Sequence, residues 1–263
     1  MSVQAQDHFI AKWHRREPEM ALAEVFCPPA TRARFRAWGA LVTELREAVF
    51  ELSDPRVTAV KAPWWAEELL RFAEGLGRHP LAADLATTPP GGGGTAGVGV
   101  PWRDLAGAVL RQVHADARPV DPADAIAQVR PLAEALAAAE SALFPSRLPS
   151  APDAIAVHLL WQRLPRGLGD DDHARVPLAL LARHGLTGAQ LASGGPAGEA
   201  LLRDWATALV QALPVAVDGQ PLYRRLRAGL DRVALRRLAS GRGFTPESAP
   251  STVLRAWRLA RRG

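Results

Sequence analysis

Glu44, Glu47 and Glu51 are the residues whose type and spacing come nearest to a chemical site. On an α-helix turning about 100° per residue they fall within ~60° of one another. A row of carboxylates suits a hard divalent cation such as Mg2+, because such cations take oxygen ligands. The same row also reads as a solvated flank with Arg36 and Arg46 nearby, and spacing alone favours that plainer reading. A second acidic run, Asp170, Asp171 and Asp172 followed by His173, also has ligand chemistry in its side chains. It belongs to LPRGLGDDDH, which reads as a loop over 164–173, where adjacent acids are most often solvated charge. The glycines at 91–94 in TTPPGGGGTAGVG have no lysine after them and no strand before them. They fit neither a Walker loop nor a dinucleotide fingerprint and read as a flexible linker over 87–99. His158 reads as a core or boundary histidine.

The glutamate row has to be carried by a long helix. Phe35, Trp38, Leu41, Val42, Leu45, Val49 and Leu52 recur three or four apart, the stripe of a helix packed on a core. Pro28-Pro29 precedes it, and Asp54-Pro55 ends it, since the residue before proline is pushed out of the α region. Similar stripes predict short helices over 7–13 and 18–26 before it. After it they predict helices over 57–76, 81–85, 102–115, 122–144, 152–163, 176–184, 188–192, 198–213, 222–238 and 251–262. Pro63 and Pro131 fall inside two of these and predict bends. The helix over 222–238 predicts a basic outer face of Arg224, Arg225, Arg232, Arg236 and Arg237. No strand alternation survives, so the expected architecture is all-α, a single-domain bundle of roughly ten helices.

Composition agrees. The chain has 263 residues, 48% apolar and 22% charged, enough for a sizeable soluble core. Alanine and leucine are plentiful and β-branched residues scarce, which favours helix. Net charge is +5, and the basic residues are nearly all arginine; Lys12 and Lys61 are the two lysines. A sequence pI near 10.4 permits contact with anionic lipid or nucleic acid without requiring either. Nucleic acid is the weaker expectation, because no recognition motif is present and acids elsewhere balance the arginines. Cys27 stands alone, which rules out an internal disulfide and a multi-cysteine metal site. The first twenty residues lack the apolar core of a signal peptide, and no apolar run of ~18 residues is present. The expected location is cytoplasmic, or peripheral to the inner face of a membrane.

Three segments, in order, resemble the squalene/phytoene synthase family of isoprenoid synthases. WWAEEL followed by GRHPLAADL is similar to that family's tryptophan–glutamate–leucine helix and histidine-proline turn, at Trp65, Glu68, Leu69, Gly77, His79 and Pro80. LWQRLPRGLGDDDHARVPLALLARHGLT resembles its second motif segment through Arg163, Val176, Pro177, Leu181, His184 and Gly185. PLYRRLRAGLDRV, then GF and VLRAWR, looks like its C-terminal helix pair. The resemblance covers nearly the whole chain and implies the isoprenoid synthase fold. In that family two isoprenoid diphosphates are condensed with the help of Mg2+ ions held by two aspartate motifs on facing helices.

Here those motifs depart from the pattern. The first falls on Arg46 to Phe50, with Arg46, Glu47 and Phe50 at the aspartate positions; the second puts Leu164 and Leu168 there. Tyr223, the one tyrosine, belongs to a C-terminal helix, so the family's mid-chain tyrosine is absent. The resemblance therefore implies a non-catalytic relative with no cofactor, in which Arg163 and Trp65 are left to contact a ligand. It is also similar in this respect to a mitochondrial complex I assembly factor built on the fold. The implied role is lipid or isoprenoid binding, or assembly and scaffolding through a protein partner or a membrane surface reached by the basic C-terminal helices. The alternative is a divergent prenyl transferase that holds Mg2+ with Glu47, Glu51, Asp170, Asp171 and Asp172.

Overall fold

The apolar stripes become helices almost where the sequence places them. The computed structural model describes residues 3–52, 54–85, 99–115, 117–169 and 172–261, and among these there is no strand. The early helices are α1 (Val3–Arg16), α2 (Pro18–Ala23), α3 (Pro29–Phe50), α4 (Pro55–Ala73) and α5 (Ala82–Leu85). A single 3-10 turn, Glu24–Phe26, follows α2. The middle of the chain forms α6 (Trp102–His114), α7 (Pro122–Leu143) and α8 (Pro152–Gly167). Three shorter or amphipathic helices follow: α9 (Leu178–His184), α10 (Gly188–Ala192) and α11 (Pro196–Ala212). The chain closes with α12 (Leu222–Ala239) and α13 (Ala249–Ala260). The architecture is all-α, with one hydrophobic cluster reaching from Trp13 to Ala256.

Proline and side-chain caps set many of the boundaries. Seven helices have proline in their first turn, where its missing N–H costs nothing. Asp54 and Asp121 cap α4 and α7 by accepting from the backbone N–H of Arg56 and Asp124. Helices α4 and α7 run on through Pro63 and Pro131. Of the glycine-rich linker over 87–99, residues 87–98 lie outside the described residues.

Three local expectations change. α1 is longer than 7–13 and is anchored against α3 by Trp13, while α2, with Met20, packs on α12 and α13; both side chains are fully buried. Leu164 belongs to helix and not to loop: α8 continues through Pro165 to Gly167, since Leu164 is fully buried in the core. Packing there overrides the proline and glycine that suggest a loop. The basic back of α12 is the third change. Arg224 and Arg225 are buried and hydrogen-bonded inside the protein, and Arg232 donates to the carbonyls of Leu213 and Pro214.

The contact of α1 with α3 is close enough to require glycine. A Cβ at Gly39 would stand 2.4 Å from Trp13 Cε2, within a ring that is itself fully buried. Gly39→Ala is therefore expected to lower stability by about 1–3 kcal/mol through overpacking. Urea unfolding of the variant against wild type measures it.

Candidate functional site

The three glutamates of α3 do share one face, and two neighbouring helices close over it. Lys12 of α1 places its Nζ 2.5 Å from Glu44 and 2.7 Å from Glu47. Lys61 of α4 lies 2.5 Å from Glu47 and 3.5 Å from Glu44. Arg16, in the last turn of α1, bridges Glu47 at 2.7 Å and Glu51 at 2.5 Å. Glu44 is buried, and Glu47 and Glu51 are largely covered. The row is thus neither a solvated flank nor paired with Arg36, which instead clasps Glu24 with two hydrogen bonds of 2.6 and 3.0 Å. Burial would raise the Glu47 carboxyl, but hydrogen bonds and charge from Lys12 and Lys61 override it and bring the pKa to about 2.

The ion pairs continue inward. Arg46, fully enclosed, donates to Glu51 and to Glu17, each at 3.0 Å. Glu17, at the junction of α1 and α2, also accepts from Arg227 at 3.0 Å and from the Trp13 indole at 3.2 Å. Arg227 pairs further with Asp231 at 2.9 Å and Glu19 at 2.8 Å. His158 of α8 completes the chain, with Nδ1 3.0 Å from Asp231 and Nε2 3.4 Å from Arg46. Charge therefore alternates without a break from Lys61 at the edge to Asp231 in the core. Burial pushes the Glu17 carboxyl upward, and His158, Arg227 and Arg46 together override it to about 2.

At the second motif α8 offers no acid toward this row. Arg163 is buried, donates its Nε–H to the carbonyl of His173 at 2.7 Å, and sets its guanidinium carbon 4.6 Å above the Phe50 ring. Leu164 is core and Leu168 is half-buried beside it. Arg166, one turn on, is lowered by burial and then by the nearby positive charges of Arg16 and Arg46, with Glu51 and Glu47 opposing. The ends of α3 and α8 do face each other, through Arg163 and Phe50, but α8 brings positive charge to the meeting. Asp170 and Asp171 lie outside the described residues. Asp172 sits at φ 49° and pairs with Arg118. Among the described residues no group of three or more His, Cys, Asp or Glu is arranged to hold a metal. The donor set around Glu44, Glu47 and Glu51 does not fit Mg2+, because their oxygens already face ammonium and guanidinium groups.

Trp65 has a structural setting. It is buried against His79, ring centroids 4.7 Å apart. Glu68, also fully buried, accepts from the backbone N–H groups of Arg78 at 2.5 Å and His79 at 2.6 Å, folding the turn after α4 back onto the helix.

Sequence reasoning misses Lys12, Arg16, Glu17 and Lys61 as members of the site. One signal was present: of 32 basic residues the two lysines both end on Glu44 and Glu47. Each lysine sets one compact ammonium between two carboxylates, while Arg16 and Arg46 each bridge a pair with their two-ended fork. The missed feature of a different kind is a groove of about 380 Å3 between α2, α8, α12 and the segment 243–249. Leu22, Trp161, Val233 and Phe244 supply its apolar wall, with the Trp161 and Phe244 rings stacked at 5.8 Å. Arg15, Arg16 and Arg237 line it together with Glu19 and Glu247, so Arg16 touches both the groove and the glutamate row. Neither a protein-family model nor a curated protein matches the chain.

Proposed function

We propose that this chain is a squalene/phytoene-synthase-like protein without Mg2+-diphosphate catalysis, which binds an isoprenoid or other lipid chain and works as an assembly or scaffold protein. One observation carries the loss of catalysis: each carboxylate of the glutamate row is held by fixed cations of the protein itself, from 2.5 to 3.5 Å away. A metal ion would have to expel Lys12 and Lys61 and then find its remaining ligands opposite Arg163 and Leu164. The groove beside Arg16 supports the lipid part of the reading, since it joins an apolar wall to three arginines, while its two glutamates, Glu19 and Glu247, are paired with Arg227 and Arg255. That combination suits a hydrocarbon chain with an anionic end.

Calorimetric titration with Mg2+ and incubation with farnesyl or geranylgeranyl diphosphate test it. The expected result is no saturable metal binding and no diphosphate release. Lys12→Ala/Lys61→Ala strips both ammonium groups from Glu44 and leaves Glu47 with Arg16, and is expected to gain divalent-cation affinity that wild type lacks. Turnover by wild type with Mg2+ would overturn the reading in favour of a divergent prenyl transferase.

A further inference from the structure

Helix α13 is amphipathic in an unusual sense: its buried side is small and its exposed side is apolar. Thr252 and Ala256 face inward at 3% and 0% exposure, while Val253, Leu254 and Trp257 face outward at 36%, 46% and 40%. The helix cannot roll these residues inward. Arg225 donates to the carbonyl of Leu259 at 2.7 Å, and a Cβ at Gly229 would lie 2.4 Å from Leu259 Cδ1, so α12 holds α13 in close register. Pro250, Val253, Leu254 and Trp257 join Phe26, from the turn after α2, to line a shallow apolar depression. Val25, 59% exposed, is next to Phe26 in that turn.

The charge around this face has one sign. From 249 to 261 there is no acid, and the arginines are Arg255, Arg258 and Arg261. The nearby acids are already used: Glu247 by Arg255 at 2.9 Å, and Glu24 by Arg36 at 2.6 Å and His14 at 3.1 Å. Arg258 and Arg261 are exposed, and Arg261 lies with its guanidinium carbon 4.8 Å from the Trp257 ring centre. Helix α13 has 12 residues, about 18 Å of length, and no helix among the described residues is long and apolar enough to cross a membrane. An apolar face with an indole at its centre and cations at its border is suited to lie along a bilayer surface.

We infer that the outer face of α13, with Phe26, is a docking surface for an anionic lipid bilayer. The inference is independent of whether the glutamate row binds metal. A second copy of the chain fits the face less well, because it would set one acid-free, arginine-bearing face against another of the same charge. An anionic headgroup layer answers the same arginines, and its acyl region receives Leu254 and Trp257. Ala249 lines both this depression and the groove beside Arg16.

Flotation of the full chain with phosphatidylcholine vesicles, with and without about one-third phosphatidylglycerol, tests the proposal. Binding is expected only with phosphatidylglycerol and is expected to weaken in high salt. Leu254→Ser/Trp257→Ser should cut it roughly tenfold, and Arg258→Gln and Arg261→Gln roughly fivefold each. All four side chains are exposed or rim-exposed, so unchanged melting curves certify the fold of each variant. Trp257→Phe should retain binding yet remove the component of tryptophan quenching caused by brominated lipids. Absence of binding, equal binding to both vesicles, or variants that bind as wild type would overturn the proposal. So would a concentration-dependent dimer abolished by the Leu254 and Trp257 substitutions with no vesicle binding. Loss of vesicle binding alone leaves the metal titration unchanged, which separates this failure from failure of the non-catalytic reading.

Discussion

Glu17→Ala is expected to lower stability by about 3 kcal/mol and to flatten the acid limb of the unfolding curve. Glu17 is 1% exposed and takes hydrogen bonds from Arg46, Arg227 and Trp13. Alanine removes the one carboxylate that joins the two guanidinium groups. Arg46 keeps Glu51, while Arg227 keeps Asp231 and Glu19, so the loss belongs at the lower end of the range for breaking a buried pair. In a chain of this size, that corresponds to a fall in Tm of roughly 6–12 °C.

The pH dependence follows from the same carboxyl. Its folded pKa, about 2, lies below the ordinary value of 4.5. A depressed carboxyl pKa adds stability that is complete above the unfolded value and is lost as pH falls through the folded one. Wild type should therefore lose ~3 kcal/mol from this group between about pH 4.5 and 2. Glu47, with its pKa also about 2, adds to the decline in the same window. Glu17→Gln keeps the shape of the side chain without the charge, so its acid limb should be shallower than that of wild type. Thermal melts from neutral to acid pH, on wild type and both variants, measure the slope. A Glu17→Gln curve parallel to wild type would mean that Glu17 does not titrate in this range.

The helices were legible because their signal is local. A stripe such as Trp38, Leu41, Leu45, Val49 repeats within one segment and needs no knowledge of what it packs on. The shared face of Glu44, Glu47 and Glu51 was legible for the same reason. Their partners were not. Lys12 and Arg16 come from a different helix some thirty residues earlier and Lys61 from the next helix on, and no spacing rule links them. Metal site and internal ion-pair row look alike in sequence, since both begin with carboxylates three and four apart. Buried arginines fail for a deeper reason. On α12, Arg224 belongs to the face that reads as basic and exposed, and Arg227 lies three positions on, although arginine is almost never fully buried unless it is paired. Pairing is supplied by Glu140 and Glu17, distant in sequence by 84 and 210 positions. On α13 the arginines raise the expectation of a membrane surface, but that Val253, Leu254 and Trp257 face outward is decided by packing on α12, which no local pattern carries. The structure leaves α13 as the C-terminal helix whose arginines border an apolar surface, while those of α12 are largely spent inside.

Glu140→Ala should be more damaging than Glu17→Ala. The carboxylate of Glu140 is fully enclosed and receives four hydrogen bonds: Trp38 Nε1 at 2.7 Å, Arg224 Nε at 2.9 Å, Arg224 Nη2 at 2.7 Å and Ser150 Oγ at 2.5 Å. It ties α3, α7, α12 and the approach to α8 at one point. Unlike Arg227, Arg224 has no second carboxylate within pairing distance among the described residues. Removing Glu140 leaves a guanidinium at 2% exposure with no counter-charge, and the expected cost is the upper part of the 3–5 kcal/mol range, about 5 kcal/mol. An indole N–H and a hydroxyl lose their acceptor as well. The pair itself need not be net stabilising, since desolvation of two ions opposes their attraction. Glu140→Met/Arg224→Met should accordingly be less damaged than Glu140→Ala alone, because no buried charge is left over. Denaturant unfolding of the single and double variants decides between the two accounts. If the double variant loses the sum of the single losses, the cost lies in packing; if it recovers most of the Glu140→Ala loss, the stranded Arg224 charge is the cause.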